Sequence, residues 1–485
     1  MESADKMKNI DNSSAPFDFC FERDGAGYIV SSPFGALLRL TRPEFGLFKA
    51  GKVKENSVLF GRLEAAGLLR GRLDFEGGAA RAKRLSAGVY EGPGLHILVL
   101  TLKCNHSCVY CRATSGGAGK KSGMSRATAV KSVDTAFSSP NKKISLEFQG
   151  GEALLNWPVL REAVLYAKKL NLKKNKDLEL SVVTNLSLMD EGKFNFLTGE
   201  GVSVCTSLDG PAALHDANRR WSGGSSHSKV AYWLKRFAAA AGKDGGADTL
   251  PSALMTTTRL SLKDPRGIVD EYRRLGLGGI FLRPLSPIGY AGGVWPDIGY
   301  GPEAFLRFYR SALAYIMELN GAGEKFIERN AAVLARKVLR AEDPNYLDLR
   351  SPCGAAIGQL AYNYNGEVYT CDEGRMTAAC GDDFFRLGNV REDRFKDLMS
   401  APAARVCAMA SCLESQPCCA RCAFKPFCGV CPVHNYATQG TPWGNIRDGS
   451  WCAMQKGMFK IILALLEKKK NRKIIEGWLE KGAAG

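Results

Sequence analysis

The sequence predicts an α/β protein built around parallel strands, with a smaller region before it and a cysteine-rich region after it. From residue 95 to about residue 290, short apolar runs alternate six times with segments of helical periodicity, which is the pattern of successive βα units. Most of the sixteen cysteines lie after residue 350. A metal-rich region is therefore expected to follow the α/β part.

The composition is that of a globular protein of a reducing compartment. With 485 residues, of which 45% are hydrophobic, the chain is long enough for two or three domains and a large core. The polar N-terminal stretch lacks the apolar segment of a secretory signal, and no run approaches the roughly 20 apolar residues of a membrane span. We therefore expect a cytoplasmic location, where clustered cysteines indicate metal more often than disulfides.

The chain is basic, with a formal net charge of +17. Such a charge is compatible with nucleic acid, a membrane surface or an acidic peptide as a partner. The charge is spread along the chain, and its one dense run, residues 468–473, falls on a predicted C-terminal helix. A solvated helix face explains that run more simply, so we expect neither a membrane nor nucleic acid.

Residues 17–94 are predicted to form a small α+β domain. Three strands and two short helices are expected, over 17–21, 27–30 and 37–40, then from Pro43 and over 59–69. Strands followed by short helices resemble the winged-helix modules that bind leader peptides by adding a strand to an exposed sheet edge. A structural cap on the rest of the protein is the alternative.

The α/β region contains six predicted strands and five predicted helices. The strands are expected near 95–102, 144–149, 178–184, 202–208, 251–257 and 279–285. The helices are expected near 124–138, 157–170, 190–198, 228–241 and 263–275. Because βα loops gather at the C-terminal ends of parallel strands, functional residues are expected there.

Three cysteines follow the first strand in a tight loop: Cys104, Cys108 and Cys111, at C-x3-C-x2-C spacing. A cubane iron–sulfur cluster takes one ligand per iron, so three thiolates leave the fourth iron open for a substrate or a cofactor. The alternative is a zinc site, which needs a fourth ligand. The one local candidate is His106, inside the same loop, so iron is favoured.

Polar residues and glycines stand where later strands end. They are Gly150, Gly151 and Glu152 after the second strand, Thr184 and Asn185 after the third, and Asp209 and Arg219 after the fourth. Paired glycines allow close backbone approach to a ligand, and Glu152 can accept hydrogen bonds from an ammonium group. The simpler interpretations are an ordinary turn at the glycines and an internal salt bridge or cap for Asp209 and Arg219.

The cysteine spacing, with Tyr110 before the third cysteine, resembles the signature of the radical SAM enzymes. The six βα units resemble the partial (β/α)6 TIM barrel of that family. The resemblance implies that the open iron binds S-adenosylmethionine, whose reductive cleavage gives a 5′-deoxyadenosyl radical that abstracts hydrogen from a substrate. The second strand end is similar to the Gly-Gly-Glu-Pro motif of the family, with Ala153 in place of the proline.

Two further strand ends match the same family. Thr184 and Asn185 correspond to a polar pair that contacts the ribose, and Asp209 with Arg219 to a string of the peptide-modifying branch. Arg283 is a charge on the otherwise apolar last strand; because a buried arginine needs an anion, we expect it to face the barrel mouth and meet a carboxylate of cofactor or peptide. The predicted cofactor-binding set is Tyr110, Gly150, Gly151, Glu152, Thr184, Asn185, Asp209, Arg219 and Arg283.

Seven C-terminal cysteines have characteristic spacings: Cys353, Cys371, Cys419, Cys422, Cys428, Cys431 and Cys452. The two C-x2-C pairs alone would also fit a zinc ribbon, but joined to the others they favour iron. Cys418 adjoins Cys419, so the ligand register could shift by one residue. The remaining thiols are predicted to be ordinary: Cys20, Cys205, Cys380, Cys407 and Cys412.

The order of these seven cysteines, with Gly366 before Cys371, resembles the SPASM extension of peptide and sulfatase maturases, although the last pair is x2 here and usually x3 there. The resemblance implies two auxiliary [4Fe–4S] clusters besides the first, one held by Cys353, Cys371 and Cys431 and one by Cys419, Cys422, Cys428 and Cys452. Three ligands would leave one auxiliary cluster an open iron, for the substrate, a water or a small molecule.

Asp372 directly follows Cys371. In sulfatase-maturing relatives the acidic residue at this place is a general base, and a carboxylate near a cluster in a dry pocket is a plausible one on physical grounds. The alternative is that Asp372 caps a turn. We therefore expect Asp372 to be the catalytic base, with the cap as the simpler interpretation.

Within this group the chain looks most like the B-type radical SAM maturase of the His-Xaa-Ser peptide system, through residues 92–97, 101–112, 281–287 and 428–433. This implies a ribosomally made His-Xaa-Ser precursor as substrate, a second radical SAM maturase as partner and an external electron donor such as flavodoxin or ferredoxin. The expected outcome is a crosslink or an oxidised side chain. The alternatives are an anaerobic sulfatase-maturing, formylglycine-generating enzyme and, from another class, a zinc-containing basic nucleic-acid-binding protein.

The predicted domain order follows from these resemblances. It is an N-terminal α+β domain (17–94), a radical SAM partial barrel (95–300), linking helices (301–345), a SPASM auxiliary-cluster domain (346–455) and a basic C-terminal helix (456–485).

Overall fold

A computed structural model describes residues 12–111, 122–241 and 251–480. Its N-terminal part contains an antiparallel sheet of three strands in chain order: β1 (Cys20–Asp24), β2 (Gly27–Ser31) and β3 (Leu37–Thr41). Asp24 pairs with Gly27 across the first turn, where Gly25 takes a φ of +56° that favours glycine. The predicted strands and turn are confirmed, although β1 begins later than the sequence suggested.

Three helices follow this sheet: α1 (Arg42–Lys49), α2 (Val58–Ala65) and α3 (Phe75–Leu85). Thr41 caps α1 in a capping box with Glu44. The sheet, α1 and α2 enclose a small core that includes Val30, Phe48 and Leu63. The helix α3 was not predicted, since only Leu85 of its residues is buried and the segment carries two glycines.

The centre of the molecule is an eight-stranded sheet with helices packed beside it. The parallel strands of the α/β part are β4 (Leu95–Thr101), β6 (Lys143–Gly150), β7 (Asp177–Thr184), β8 (Ser203–Ser207) and β10 (Ser252–Leu254). The helices between them are α4 (Arg126–Phe137), α5 (Trp157–Lys174), α6 (Glu191–Gly199), α7 (Ala212–Asn218), α8 (Ser226–Ala241) and α9 (Pro265–Arg274). This is the α/β fold with a central parallel sheet that the sequence predicted.

A separate two-stranded antiparallel sheet lies at the end of β4. It pairs β5 (His106–Cys108) with β9 (Arg219–Trp221). The pairing joins the loop after the first strand to the segment after α7, so two distant sequence motifs lie side by side.

The sixth predicted strand is much shorter than expected. Only β11 (Gly279–Ile280) is regular, and it pairs with β12 (Ile327–Glu328), while Pro284 makes an isolated parallel bridge to Thr257. Proline has no backbone N–H to donate, so Pro284 and Pro287 interrupt the ladder. The prediction of a strand over 279–285 is therefore wrong in its second half, where the chain is irregular and contacts Thr257 through a single bridge.

Four helices connect the α/β part to the cysteine-rich part: α10 (Tyr290–Gly293), α11 (Trp295–Ile298), α12 (Pro302–Gly321) and α13 (Arg329–Arg340). The last two are the linking helices that the sequence predicted. They share a large apolar core with the C-terminal helices, in which Phe305, Leu313 and Phe459 are fully buried.

The cysteine-rich part extends the central sheet. Its strands are β13 (Gln359–Tyr362), β14 (Glu367–Tyr369) and β15 (Arg386–Asn389), and β13 runs parallel to β4. At this junction the Nδ1 atom of His96 lies 2.9 Å from the Tyr362 hydroxyl. Burial lowers the pKa of His96 to about 4, so the imidazole is neutral at pH 7.

The remaining helices surround the cysteines: α14 (Asp372–Ala378), α15 (Phe395–Met399), α16 (Pro402–Ser411), α17 (Pro417–Ala420), α18 (Pro432–Gln439), α19 (Ser450–Leu466) and α20 (Lys469–Gly477). The prediction of a single C-terminal helix over 456–485 is wrong, because the helix is interrupted between α19 and α20. Residues 481–485 lie outside the described part. Lys468, Lys469 and Lys470 are exposed, as predicted. Across the described ranges, no helix is long and apolar enough to cross a membrane.

Candidate iron–sulfur and cofactor sites

The loop after β4, which we call the cluster loop (residues 102–111), is held from two sides. Its strand β5 places Cys108 opposite Arg219 of β9, and the Val109 amide donates to the Asn218 carbonyl at 2.9 Å. Burial raises the pKa of Cys104 to about 12, and the nearby Cys108 and Cys111 add to the rise. The three predicted thiols are thus neighbours on a fixed backbone, with Cys111 exposed.

Asp209 is the polar centre behind this loop. Its carboxylate is fully buried and accepts hydrogen bonds from the Tyr110 hydroxyl and from Arg219 Nη2, both at 3.0 Å. It also accepts from the backbone amide of Thr256 at 3.0 Å and from Asn218 at 3.2 Å. The internal salt bridge, given above as the simpler interpretation, is what the geometry shows, and Asp209 also fixes the aromatic residue of the signature.

Arg219 lies over the ring of Tyr110, with its guanidinium carbon 5.3 Å from the ring centroid. Burial acts to lower the pKa of Arg219, but the charges of Asp209, Tyr110 and Cys108 hold it above its usual value. The Nε atom of Arg219 is buried and has no hydrogen-bond partner among the described residues. One donor of this side chain therefore stays available beside the cluster loop.

A row of hydrogen-bonded polar side chains, which was not predicted from the sequence, packs against the cluster loop. The Nε2 atoms of His106 and His215 lie 2.9 and 3.0 Å from the Ser226 hydroxyl, and His106 stacks on Trp221 with a centroid distance of 5.6 Å. Burial lowers the pKa of His106 to about 4. His106 is thus a packed, neutral side chain tied to Ser226.

Glu152, Thr184 and Asn185 come together as predicted. Glu152 is 1% exposed and accepts from the Thr184 hydroxyl at 2.6 Å and from the Asn185 amide at 2.8 Å. Burial raises the pKa of Glu152, against the lowering effect of these donors. The Asn185 side chain in turn donates to Asn105 Oδ1 at 3.0 Å, so the strand end is coupled to the cluster loop.

The reason for the paired glycines differs from the one predicted. A Cβ at Gly150 would lie 2.3 Å from the Thr101 carbonyl oxygen, and one at Gly151 would lie 2.2 Å from the Lys103 carbonyl oxygen. The Gly151 amide donates to Thr101 at 2.8 Å. The glycines therefore admit the backbone of the cluster loop itself, whereas the sequence suggested only close approach to a ligand.

Four cysteines of the C-terminal region share one core, and we call them the buried cysteine group: Cys353, Cys371, Cys407 and Cys431. Each is between 0% and 7% exposed. Burial raises the pKa of every member, and in Cys371 the charges of Glu373 and of the other three thiols add to the rise. Three of these thiols were predicted to act together; Cys407 was predicted to be an ordinary thiol.

The other four predicted thiols form the outer cysteine group: Cys419, Cys422, Cys428 and Cys452. Burial raises the pKa of Cys428, and the nearby Cys422, Cys452 and Cys419 add to the rise. Cys418 is exposed, while Cys419 packs with Cys428 and Cys452 around Leu413. The geometry thus favours the register that uses Cys419.

The two groups are not arranged around a single metal ion. In the parts of the chain that the structure describes, no three His, Cys, Asp or Glu side chains converge as the ligands of one metal ion do. Thiolates of a cubane bind different irons and so lie farther apart than the four ligands of a zinc ion. All sixteen cysteines are free, so no disulfide occupies these thiols.

Arg283 lies beside a cavity that borders the buried cysteine group. The cavity is lined by Arg283, Tyr346, Asp348, Glu373, Cys431 and His434, among others. Arg283 is 47% exposed and lies 3.7 Å from Glu373. The expected carboxylate partner is therefore supplied by the protein itself, and the side chain is less buried than predicted because the regular strand has already ended at Ile280.

Two further carboxylates near this cavity were missed. Glu147 lies on the face of β6 opposite Leu146 and Phe148, and burial, with the charge of Asp372, raises its pKa to about 7. Burial, with the charges of Asp348 and Asp372, raises the pKa of Glu373 to about 7 as well. Glu147 occupies a polar position of an alternating strand, between Ser145 and Gln149, so the sequence carries no signal that distinguishes it.

Asp372, the predicted base, is joined to Arg375. The Nε atom of Arg375 lies 2.7 Å from Asp372 Oδ1. Burial acts to lower the pKa of Arg375, but Asp372, Cys111 and Glu373 hold it above its usual value. This ion pair therefore stands between the cluster loop and the buried cysteine group.

Comparisons with known proteins agree with this geometry. The model of the Radical SAM superfamily matches residues 98–250. A cysteine-type anaerobic sulfatase-maturating enzyme of Clostridium perfringens (strain 13 / Type A) is 31% identical over 304 residues, 61% of this chain and 76% of that protein. The radical SAM cyclopropyl synthase TigE of Paramaledivibacter caminithermalis is 28% identical over 132 residues, 24% of this chain and 27% of that enzyme.

Solved structures show the same fold. Native anSMEcpe with bound AdoMet and Cp18Cys peptide aligns with a TM-score of 0.65 and 19% identity, covering 79% of this chain and 100% of that one. Streptococcus suis SuiB bound to the precursor peptide SuiA aligns with a TM-score of 0.55 and 13% identity, covering 90% of this chain and 98% of that one.

The chain belongs to the radical SAM superfamily. It is therefore an enzyme that binds S-adenosylmethionine and a [4Fe–4S] cluster. The zinc-containing nucleic-acid-binding protein, the alternative from another class, is set aside.

Proposed function

We propose that this chain is a SPASM-type peptide maturase that holds three [4Fe–4S] clusters and modifies a ribosomally made precursor of the His-Xaa-Ser type. The observation that carries the proposal is the position of the cavity beside Arg283. Cys431 of the buried cysteine group lines it, and the Asp372–Arg375 pair joins its surroundings to Cys111 of the cluster loop. A substrate in that cavity would lie between two iron–sulfur sites.

The cluster loop would hold the first cluster through Cys104, Cys108 and Cys111. S-adenosylmethionine would lie against the strand ends that carry Glu152 and Asn185, which already contact this loop. When bound, the clusters and S-adenosylmethionine supply hydrogen-atom abstraction and an acceptor for the second electron. The protein fixes the thiols, and the rigid backbone contacts of Gly150 and Gly151 set the distance between loop and strand end.

The proposed modification removes two hydrogen atoms from the peptide. One C–H bond and one X–H bond break and a C–X bond forms; one hydrogen leaves as an atom, the other as a proton, and the remaining electron leaves through an auxiliary cluster. Asp372 is the proposed proton acceptor. Glu147, whose raised pKa of about 7 suits proton exchange near neutral pH, is an alternative acceptor.

The N-terminal sheet is proposed to hold the leader of the precursor. The β1 side is tied to the C-terminal part, since Glu22 pairs with Lys456 and Lys460 at 2.7 and 3.0 Å. The opposite edge strand, β3, has no further strand beside it within the described ranges. It is itself held at Arg39, whose side chain pairs with Glu467 at 2.6 Å and whose carbonyl accepts from Arg62 at 2.7 Å, so a peptide would pair with the rest of the strand. An extended peptide would add there through backbone hydrogen bonds.

The second candidate is cysteine-type sulfatase maturation, which the 31% identity to the Clostridium perfringens enzyme favours. Anaerobic incubation of the chain with S-adenosylmethionine, a reductant and each peptide separates the two by mass spectrometry. A His-Xaa-Ser precursor is expected to lose the mass of two hydrogen atoms. Conversion of a cysteine in a sulfatase-type peptide to formylglycine, with replacement of sulfur, would instead establish the second candidate.

Three partner and location proposals accompany this function. A second radical SAM maturase would act on the same precursor, and flavodoxin or ferredoxin would supply electrons. The net charge of +17 favours an acidic donor. Sixteen unpaired cysteines suit the reducing cytoplasm.

A further inference from the structure

Cys407 is a fourth thiol inside the buried cysteine group. It is 0% exposed and packs in one cluster with Cys353, Cys371 and Cys431. It comes from helix α16, a part of the chain distinct from the segments that carry the other three. The fold therefore delivers four thiols, where the family pattern accounts for three.

A hydrogen-bond bridge fixes Cys407 relative to Cys353. The Ser411 hydroxyl donates to the Cys407 carbonyl at 2.6 Å and accepts from the Cys353 amide at 2.9 Å. The last turn of α16 is thereby anchored to the backbone of a predicted ligand. Ser411 is itself fully buried, so the bridge is shielded from water.

A shared neighbour also brings Cys407 close to Cys371. The Thr370 hydroxyl donates to the Cys371 sulfur at 3.8 Å and hydrogen-bonds to the Cys407 thiol. Apolar side chains such as Phe385 complete this core, but it also contains the three thiols that the family resemblance assigns to one cluster.

We propose that Cys407 is the fourth protein ligand of the auxiliary cluster held by Cys353, Cys371 and Cys431. The inference rests on the proposed function, since it assumes that this cluster forms. Four thiolates complete the coordination of a [4Fe–4S] cube. No iron of this cluster is then open to substrate, water or a small molecule, and the cluster transfers electrons without binding the peptide.

The test uses the full chain with Cys104, Cys108 and Cys111 all changed to Ala, so that only auxiliary clusters remain. After anaerobic reconstitution this parent should hold about eight irons. Its reduced EPR spectrum should not change on addition of cyanide, because no iron is open. Adding Cys407→Ala should either make the spectrum respond to cyanide or remove about four irons.

Two matched variants separate ligation from folding. Cys412→Ala alters a thiol at the end of the same helix and outside the group, and should keep the parent spectrum and iron content. Cys407→Ser preserves the size of the side chain and should shift the reduction potential of one cluster. Far-UV circular dichroism should be the same for all variants.

The outcomes distinguish this inference from the proposed function. Two outcomes would show that Cys407 is not a ligand although the auxiliary clusters form. In the first, Cys407→Ala and Cys407→Ser both keep the iron content and EPR spectrum of the parent and do not respond to cyanide. In the second, the parent itself responds to cyanide. If the parent binds no iron, the proposed auxiliary clusters fail, and the inference fails with them.

Discussion

The cluster loop and the buried cysteine group are two ways of holding an iron–sulfur cluster. In the loop, three thiols lie within eight residues, and Cys111 is exposed. In the buried group, the thiols come from the loop before β13, the turn between β14 and α14, the middle of α16 and the start of α18, and none exceeds 7% exposure. Local sequence places the loop thiols close together, whereas the thiols of the buried group meet only when the C-terminal fold is complete.

This difference shows which parts of the fold each cysteine site depends on. The loop needs support from outside itself, supplied by Asp209 and by the strand pairing with β9. The buried group is part of a core, so its ligands also hold the fold together. Loss of the loop thiols should therefore stop chemistry and spare the fold, and loss of a buried thiol should damage both.

The largest expected effect on activity comes from the loop. Changing Cys104, Cys108 and Cys111 together to Ala should reduce 5′-deoxyadenosine formation to background and remove about four irons of about twelve. The thermal unfolding midpoint should change little, because these thiols are not in the core. Iron analysis and calorimetry under anaerobic conditions measure the iron content and the unfolding midpoint. If the midpoint fell as far as that of a buried-group variant, the proposed difference between the two cysteine sites would be wrong.

The largest expected effect on stability comes from the buried group. Cys371→Ala should remove a ligand from a core site and cost about 5 kcal/mol of stability in the reconstituted protein. Chemical denaturation of reconstituted wild type and variant measures this. The matched exposed thiol, Cys380→Ala, should behave as wild type; equal stability of all three proteins would contradict the account.

A smaller effect is expected behind the loop. Asp209→Asn leaves the buried Arg219 without its counter-charge and should cost about 3 kcal/mol. The iron lost first should be that of the cluster loop, as followed by EPR. Glu191→Gln, which breaks an exposed ion pair with Arg236, is the control. It should change neither the stability nor the iron content of the cluster loop appreciably.

The close approach of loop and strand end gives the next effect. Gly151→Ala places a methyl group against the Lys103 carbonyl and should cost about 2 kcal/mol while weakening iron binding in the loop. Gly61→Ala, in a helix where a Cβ meets nothing within 4 Å, should stabilise by about 0.5 kcal/mol. Identical denaturation curves for the two variants would show that the contact is relaxed at no cost.

The last effect depends on pH. The pKa of Glu147 is raised to about 7 by burial and by Asp372, so its contribution to stability is present at low pH and is lost as pH rises through about 7. Glu147→Gln should therefore be as stable as wild type near pH 4 and more stable at pH 8. Unfolding midpoints at both pH values check the sign; parallel profiles would show that the carboxyl titrates normally.

Much of the fold followed from patterns that are local. The first five βα units, the cluster loop and the polar strand ends could be predicted because apolar periodicity and short spacings reflect nearby structure. Glu152, Thr184 and Asn185 could be placed near one another because they lie at the C-terminal ends of neighbouring parallel strands. The last strand was predicted from its apolar run alone, and Pro284 and Pro287 end its regular part.

The remaining features depend on contacts between distant segments. Cys407 has no spacing relation to Cys353 or Cys371, and only the docking of α16 brings them together. The sequence left the role of Asp209 open between cofactor binding and an internal salt bridge or cap. It does not show that Tyr110 and Thr256 both donate to Asp209. Long-range hydrogen bonds and burial, which decide such cases, are set by tertiary packing.

The measurement that tests the central claim most directly is anaerobic reconstitution followed by incubation with S-adenosylmethionine and a strong reductant. The account predicts a brown protein that contains iron and little zinc and that releases 5′-deoxyadenosine in wild type but not in the loop variant. A colourless, zinc-containing protein that leaves S-adenosylmethionine intact would contradict it.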